Sequence, residues 1–219
     1  MAHQSPYLKA ALLTLAIALI GFFFISQLDS LRVNELRNSV NALSYQSESE
    51  RFLFTYSQVM GGGANELCGY VSKTTQIKED KAYALSEKIR YYEQSNIVNA
   101  EYETIKDEYY LSNAALYLNM RSTAKYCGSS PYTTILFFYR VKQDCPECRA
   151  QGGVLDNLRK KYPNMRVFAF PNDTDHEFIN VFLRRHNVTA VPSLVIDDST
   201  VLQGLTDEGK LSAYLARQS

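Results

Sequence analysis

A seven-residue run that is β-branched or aromatic apart from Leu136, Thr133 to Tyr139, constrains the fold of this chain most strongly. Polar and apolar positions do not alternate in it, so it predicts a strand buried on both faces, inside a sheet covered by helices on each side. The following segments alternate accordingly: helix 145–161, strand 166–170, a helix opened by a capping box at 174–177, strands 193–197 and 200–203, and a helix capped by Thr206. We therefore expect an α/β domain over residues 129–219 with a parallel-rich sheet.

Two cysteines, Cys145 and Cys148, stand at the start of the first of these helices, with Pro146 and Glu147 between them. This spacing places both sulfurs at one helix end, where unpaired N–H groups and the helix dipole favour a thiolate at the leading cysteine. A thiolate is the nucleophilic form of cysteine, and helix N-termini lower thiol pKa values in general. Pro146 suits the first helical turn, and Asp144 is placed to cap the helix.

Residues from about 131 to 217 resemble the thioredoxin family. The Cys-Pro-Glu-Cys motif follows a buried strand by a short loop, and Val191-Pro192-Ser193 stands immediately before a later strand, where the family carries a cis-proline facing the active site. The resemblance implies a thiol–disulfide oxidoreductase in which Cys145 attacks, a mixed disulfide forms and Cys148 resolves it. It also implies a redox-active Cys145–Cys148 disulfide and a substrate-binding surface formed by Val191, Pro192, Pro146 and Glu147.

The same resemblance implies protein thiols or disulfides as substrates, a redox partner protein and no cofactor. Two positions depart from the family pattern. Asp144 stands where thioredoxins often carry Trp, and Tyr139 stands where they carry a buried Asp that moves protons. Proton transfer would therefore use water or another group, such as Glu147. Residues 29–128 resemble no recognised family.

Other functions fit the sequence less well than thiol–disulfide exchange. A structural zinc site needs four ligands, whereas Cys68 and Cys127 are widely spaced, so we expect no metal site. Cu(I) suits paired thiolates, but His176 and His186 lie far along the sequence and are expected on the surface of a helix. The 23 basic residues balance 23 acidic ones, which gives no indication of nucleic-acid binding. The alternative function is a non-catalytic docking or assembly module of the same fold at the membrane.

Region 29–128 is predicted to be helical, with a long hairpin turning at Gln94-Ser95-Asn96 and a hinge at Gly61-Gly62-Gly63. Three apolar stripes support this prediction. They are Val33, Leu36, Val40 and Leu43; then Ile77, Leu85, Ile89 and Tyr92; and then Val98, Tyr102, Ile105, Tyr109, Ser112 and Leu116. The spacing suits packing within the chain and equally a homodimer formed through the helical region.

The midpoint between the remaining cysteines, Cys68 and Cys127, falls between Ile97 and Val98, almost on the predicted turn of the hairpin. Antiparallel arms of nearly equal length return to the same level, so we expect a structural Cys68–Cys127 disulfide. Two separate buried thiols remain the alternative, and a relay that exchanges with Cys145 is a further version of the disulfide hypothesis.

The N-terminal segment from Leu8 to Leu28 is almost wholly apolar, with Lys9 as its only charge, and approaches the ~20 residues that cross a bilayer. It exceeds the apolar core of a signal peptide and lacks a small-residue cleavage motif, so residues 1–28 are predicted to be an uncleaved transmembrane anchor. Arg32 and Arg37 after the span slightly oppose an outside C-terminus. Because disulfides persist in oxidising compartments, we nevertheless expect a single-pass protein with its C-terminal domain extracytoplasmic.

Overall fold

The computed structural model describes residues 13–15, 19–20, 48–49, 51–52, 55–56 and 64–216. It divides the chain into two compact units, Met1–Gly62 and Gly63–Ser219. In the first unit the described residues are helical. No helix within the described residues has the length and apolarity needed to span a bilayer. The predicted anchor lies outside those residues apart from 13–15 and 19–20, and the stripe at 33–43 lies wholly outside them.

A helical hairpin opens the second unit. Helix α1 spans Ala64–Gln94 and helix α2 spans Ala100–Cys127. The predicted turn is present, with Asn96 in the left-handed region at φ 52°. Asn99 caps α2 because its side chain accepts a hydrogen bond from the Tyr102 N–H at 2.9 Å. Gly128 ends α2 at φ 75°, a conformation that glycine adopts without a Cβ penalty.

The stripe predicted on the second arm packs within the chain. Tyr102, Ile105, Ser112 and Leu116 are buried, whereas Val98 in the turn is exposed. On the first arm Leu85 is buried as predicted, but the prediction was wrong for Ile77, which is half exposed, because the rest of the buried face runs through Leu67, Val71, Thr75 and Ala82. Asn119 joins the arms, since its amide donates to the Val71 carbonyl and to the Thr75 hydroxyl.

A four-stranded sheet follows, formed by β1 (Thr133–Tyr139), β2 (Met165–Pro171), β3 (Ser193–Ile196) and β4 (Thr200–Gln203). Its order is β2-β1-β3-β4. The prediction of a doubly buried first strand is confirmed, because the five central residues of β1 are buried. The parallel-rich sheet was wrong: β1 pairs with β2 in parallel, but β1–β3 and β3–β4 are antiparallel. The tight connection between β3 and β4, with Asp197 and Asp198 both at positive φ, forces the antiparallel return.

Helices cover both faces of the sheet. Helices α3, α4 and α5 span Pro146–Lys161, Glu177–Arg185 and Glu208–Leu215. On one face the β1 side chains Leu136 and Phe138 share a buried cluster with residues of α2 and α4. On the other face Ile135 and Phe137 share a cluster with residues of α3 and α5. The α/β expectation is therefore confirmed, and this topology is thioredoxin-like.

Three predicted helix starts differ in detail. Asp207, rather than Thr206, caps α5 by accepting a hydrogen bond from the Lys210 N–H at 2.9 Å. Helix α4 begins after His176, which makes no side-chain cap, while the Thr174 hydroxyl bonds back to the Pro171 carbonyl. Cys145 itself occupies the cap position of α3, which leaves Asp144 outside the helix. In each case the observed cap residue lies one or two positions after the predicted one.

The hairpin and the sheet belong to one compact unit, whereas the sequence predicts a boundary after residue 128. A polar network contributes to the contact between the hairpin and the sheet. The Tyr117 hydroxyl of α2 donates to Asp198 at 3.2 Å, and Arg185 bonds the same carboxylate at 2.7 Å. His186 was wrongly expected at the surface: it is 9% exposed, its Nε2 lies 3.0 Å from Asp198, and burial lowers its pKa.

Candidate functional site

Three segments meet at one end of the sheet, where strand β1 finishes. Strand β1 ends at Tyr139, and the loop after it leads to Cys145. Phe138 pairs with Ser193, so the beginning of β3, and Pro192 just before it, lie at the same end of the sheet. Gln203 pairs with Ser193 in turn, which brings the end of β4 there as well. The topology thus brings together the predicted cysteine pair and the predicted substrate-binding residues.

Cys145 and Cys148 form a disulfide at the N-terminus of α3, with their Cα atoms 5.2 Å apart. The Cys145 Sγ accepts a hydrogen bond from the Cys148 N–H at 3.2 Å. Cys148 is buried, at 5% exposure, whereas Cys145 is partly exposed. The unpaired N–H groups of the first turn favour negative charge on the outer sulfur. This geometry suits nucleophilic attack by Cys145 and resolution by Cys148.

Pro146 and Glu147, predicted to contact substrate, are both exposed in the first turn of α3. Asp144, which precedes the cysteine, pairs with Arg149 one turn further along. The hydrogen bond and the charge of Arg149 hold the pKa of Asp144 below its ordinary value. Asp144 therefore stays ionised at neutral pH, and the neighbouring guanidinium offsets its effect on a thiolate at Cys145.

The loop that leads to Cys145 is held by Asp173, which follows β2. The Asp173 carboxylate accepts hydrogen bonds from the backbone N–H groups of Val141, at 3.0 Å, and Lys142, at 2.6 Å. Burial alone would raise the pKa of Asp173, but these backbone hydrogen bonds outweigh burial and hold the pKa below its ordinary value. The approach to the cysteines is thus fixed by a charged group at a neighbouring strand end.

The peptide bond between Val191 and Pro192 is cis, in agreement with what the resemblance implies. The Pro192 carbonyl accepts a hydrogen bond from the Gly204 N–H at 2.8 Å, which extends the β3–β4 ladder by one step. Gly204 has φ 85°, a conformation that favours glycine. Val191 packs against the same core cluster as Cys145, so both halves of the site rest on one apolar layer.

A fully buried glutamine in α3 joins the cysteine helix to the segment after β4. The Gln151 side chain accepts a hydrogen bond from the Thr206 N–H at 2.8 Å and donates to the Thr206 carbonyl at 3.3 Å. Its polar groups are thereby satisfied at 0% exposure. Sequence reasoning missed this residue, and its position three after Cys148, on the inner face of the helix, is the only signal that could have found it.

Tyr139 occupies the strand position where thioredoxins carry a buried aspartate. Its ring stacks on Phe137, and its hydroxyl lies 3.4 Å from the Tyr110 hydroxyl of α2. Burial raises the pKa of Tyr139 and of Tyr110, so neither hydroxyl ionises near neutral pH. Tyr139 consequently supplies no base to Cys148, and the hairpin fixes its orientation.

The second pair, Cys68 and Cys127, is also joined by a disulfide in the structure, with Cα atoms 5.0 Å apart. It lies beside Tyr132, which immediately precedes β1, and so at the opposite end of that strand from Cys145. A seven-residue strand spans about 20 Å. Exchange between the two disulfides within one chain would need contact between sulfurs, so this separation opposes the relay hypothesis.

Comparison with known proteins finds similarity to solved structures alone. No family model matches the chain, and no curated protein matches it. Thioredoxin O1 from Arabidopsis thaliana is 24% identical, covering 48% of this chain and 90% of that one, with a TM-score of 0.37. Thioredoxin O2 from the same plant is 21% identical over 48% of this chain and 87% of that one, with a TM-score of 0.36.

Fasciola hepatica thioredoxin is 20% identical, covering 47% of this chain and 94% of that one, also with a TM-score of 0.36.

Proposed function

We propose that this chain is a thiol–disulfide oxidoreductase that acts on protein thiols or disulfides through Cys145 and Cys148. The observation that carries the proposal is the placement of Cys145 at the cap of α3, where its sulfur already accepts a backbone N–H. A group that accepts this hydrogen bond as a disulfide sulfur accepts it more strongly as a thiolate. The reduced site therefore favours the reactive form at the accessible cysteine.

The chemistry is a two-electron exchange. In the reducing direction, the Cys145 thiolate attacks one sulfur of the substrate disulfide, a mixed disulfide forms, and the other substrate sulfur leaves as a thiolate that takes up a proton. The Cys148 thiolate then attacks the Cys145 sulfur and releases the second substrate thiol. The Cys145–Cys148 disulfide that results is reduced in turn by a dithiol partner protein, and the oxidising direction runs these steps backwards.

An exchange assay tests this proposal against the docking-module alternative. The reduced chain should catalyse the reduction of insulin disulfides by a dithiol reductant, and Cys145→Ser should lower the rate to that of the uncatalysed reaction. The matched control is the Cys68→Ala/Cys127→Ala variant, which should keep its activity per folded molecule. Wild-type protein without exchange activity, but with the same bound partners as Cys145→Ser, would support the docking module instead.

We also propose that residues 1–28 tether the enzyme to a membrane, with the α/β domain in an oxidising, extracytoplasmic compartment. The support is the uncharged apolar run after Lys9, and two cysteine pairs suited to disulfides. The full chain should stay with membranes through alkaline carbonate, and deletion of residues 1–28 should release it. Extraction of the intact chain by carbonate would contradict the tether without affecting the redox proposal.

A further inference from the structure

One exposed side chain organises the segment that precedes Pro192. Gln203 is the last residue of β4, and its side-chain carbonyl accepts three hydrogen bonds. The donors are the Thr189 N–H at 3.0 Å, the Thr189 hydroxyl at 3.1 Å and the Ala190 N–H at 3.1 Å. The amide nitrogen of the same side chain donates to the Asn187 carbonyl at 3.3 Å.

The segment held in this way, residues 187–190, has no regular secondary structure. Asn187 lies in the left-handed region at φ 51°, and two consecutive N–H groups, of Thr189 and Ala190, point at one acceptor. The backbone cannot satisfy those donors within a helix or a strand, so the Gln203 side chain takes the place of a neighbouring strand. Removal of the side chain leaves all of these groups to water.

Gln203 also stands at the junction of the two halves of the site. The next residue, Gly204, donates to the Pro192 carbonyl, and Thr206 is bound by Gln151 of the cysteine helix. The segment from Gln203 to Thr206 therefore contacts the Pro192 loop at one end and α3 at the other. Within it, Gln203 is the residue whose side chain fixes the course of the chain into Val191.

We propose that Gln203 is a positioning residue for the exchange reaction: it holds residues 187–190 so that Val191 and Pro192 present a fixed surface to a polypeptide substrate at Cys145. This inference rests on the proposed function. A polypeptide must lie against the Pro192 loop while its sulfur reaches Cys145, whereas a small disulfide needs only the sulfur. The contribution of Gln203 should therefore appear with protein substrates and be absent with small ones.

The test compares Gln203→Ala, Gln203→Glu and Asn119→Ala in the full chain, with insulin and with 5,5′-dithiobis(2-nitrobenzoate) as substrates. Loss of the hydrogen bonds in Gln203→Ala should raise KM for insulin about tenfold, leave kcat nearly unchanged, and keep kcat/KM for the small disulfide within about twofold. Gln203→Glu retains the acceptor of three of the four bonds and should restore most of the insulin activity.

Asn119→Ala is the matched control, because it removes a side-chain amide with several hydrogen bonds from the hairpin, away from the site. It should lower stability and leave the ratio of the two activities unchanged. Equal loss on both substrates in Gln203→Ala, no loss on insulin, or the same change of ratio in Asn119→Ala would overturn the positioning role. Wild-type protein that turns over neither substrate would instead refute the proposed function.

Discussion

The two disulfides of this chain are covalently alike, but Cys145 and Cys127 stand at opposite kinds of helix end. Cys145 caps the N-terminus of α3, where its sulfur accepts a hydrogen bond from the Cys148 N–H and faces the positive end of the helix dipole. Cys127 is the last residue of α2, where free carbonyl groups and the negative end of the helix dipole disfavour a thiolate. The helix end therefore favours nucleophilic exchange at Cys145 and disfavours it at Cys127, whereas Cys68, the fifth residue of α1, lies near an N-terminal helix end.

The two cysteine pairs also differ in the length of the chain segment that each disulfide closes into a loop. Cys68 and Cys127 are 59 residues apart and close almost the whole hairpin, whereas Cys145 and Cys148 are three residues apart. A cross-link that closes a long loop restricts the unfolded chain more than one that closes a short loop. The position of a cysteine pair in the chain, rather than its presence, therefore separates a stabilising disulfide from a reactive one.

The largest expected effect is on stability. In the chain-entropy account, Cys68→Ala/Cys127→Ala should lower the free energy of unfolding by ~4 kcal/mol, and Cys145→Ala/Cys148→Ala by roughly half as much, because the second loop is short. Urea unfolding of the oxidised proteins, followed by circular dichroism, measures both. Equal losses of stability in the two variants, or a larger loss in the active-site variant, would contradict this prediction.

The second prediction concerns reactivity once both disulfides are reduced. At neutral pH, iodoacetamide should modify Cys145 at least about tenfold faster than Cys127 or Cys148, because the N-terminal helix end favours its thiolate and because Cys148 is buried. Timed quenching followed by mass spectrometry of the separate peptides gives each rate. Cys127 reacting as fast as Cys145 would show that helix ends do not distinguish the two pairs.

The smallest expected effect concerns Asp173, which holds the loop that leads to Cys145. Asp173→Asn should lower the free energy of unfolding by about 1 kcal/mol near pH 7, after allowance for solvent screening of the lost charge. The folded-state pKa of Asp173 lies below its unfolded value of about 3.9, so this contribution is present above that pH and is lost as the pH falls through the lowered pKa.

Unfolding of wild type and Asp173→Asn across pH 2 to pH 7 should therefore give curves that converge in acid. Asp156→Asn, an exposed position on α3, is the matched control and should shift stability little at any pH. A difference between wild type and Asp173→Asn that stays constant down to pH 2 would show that the carboxylate does not hold the loop by its charge.

The parts of the site that the sequence predicts are those dictated by neighbouring residues. The buried strand from Thr133 to Tyr139 follows from its own pattern, and the cysteine helix follows from Cys145-Pro146 directly after it. The position of Pro192 at the site comes from the resemblance to thioredoxins. The helical hairpin and its turn could also be predicted, because the apolar spacing along a long helix depends only on residues that are close in sequence.

What sequence reasoning missed depends on contacts between distant positions. Gln151 and Thr206 are 55 residues apart, and a glutamine on a helix gives no sign of the backbone group that it will bind. Gln203 belongs to a short edge strand, and only the fold brings residues 187–190 to its side chain. His186 is buried because Asp198 approaches it from the β3–β4 connection, which no local pattern predicts.

The order in which the two disulfides are reduced shows directly which pair is reactive and which pair stabilises the fold. The full chain would be equilibrated in buffers of graded dithiothreitol ratio, alkylated under denaturing conditions and mapped by mass spectrometry. We expect two separate transitions, with Cys145–Cys148 fully reduced under conditions in which Cys68–Cys127 is still oxidised. Simultaneous reduction of both pairs, or reduction of Cys68–Cys127 first, would contradict it.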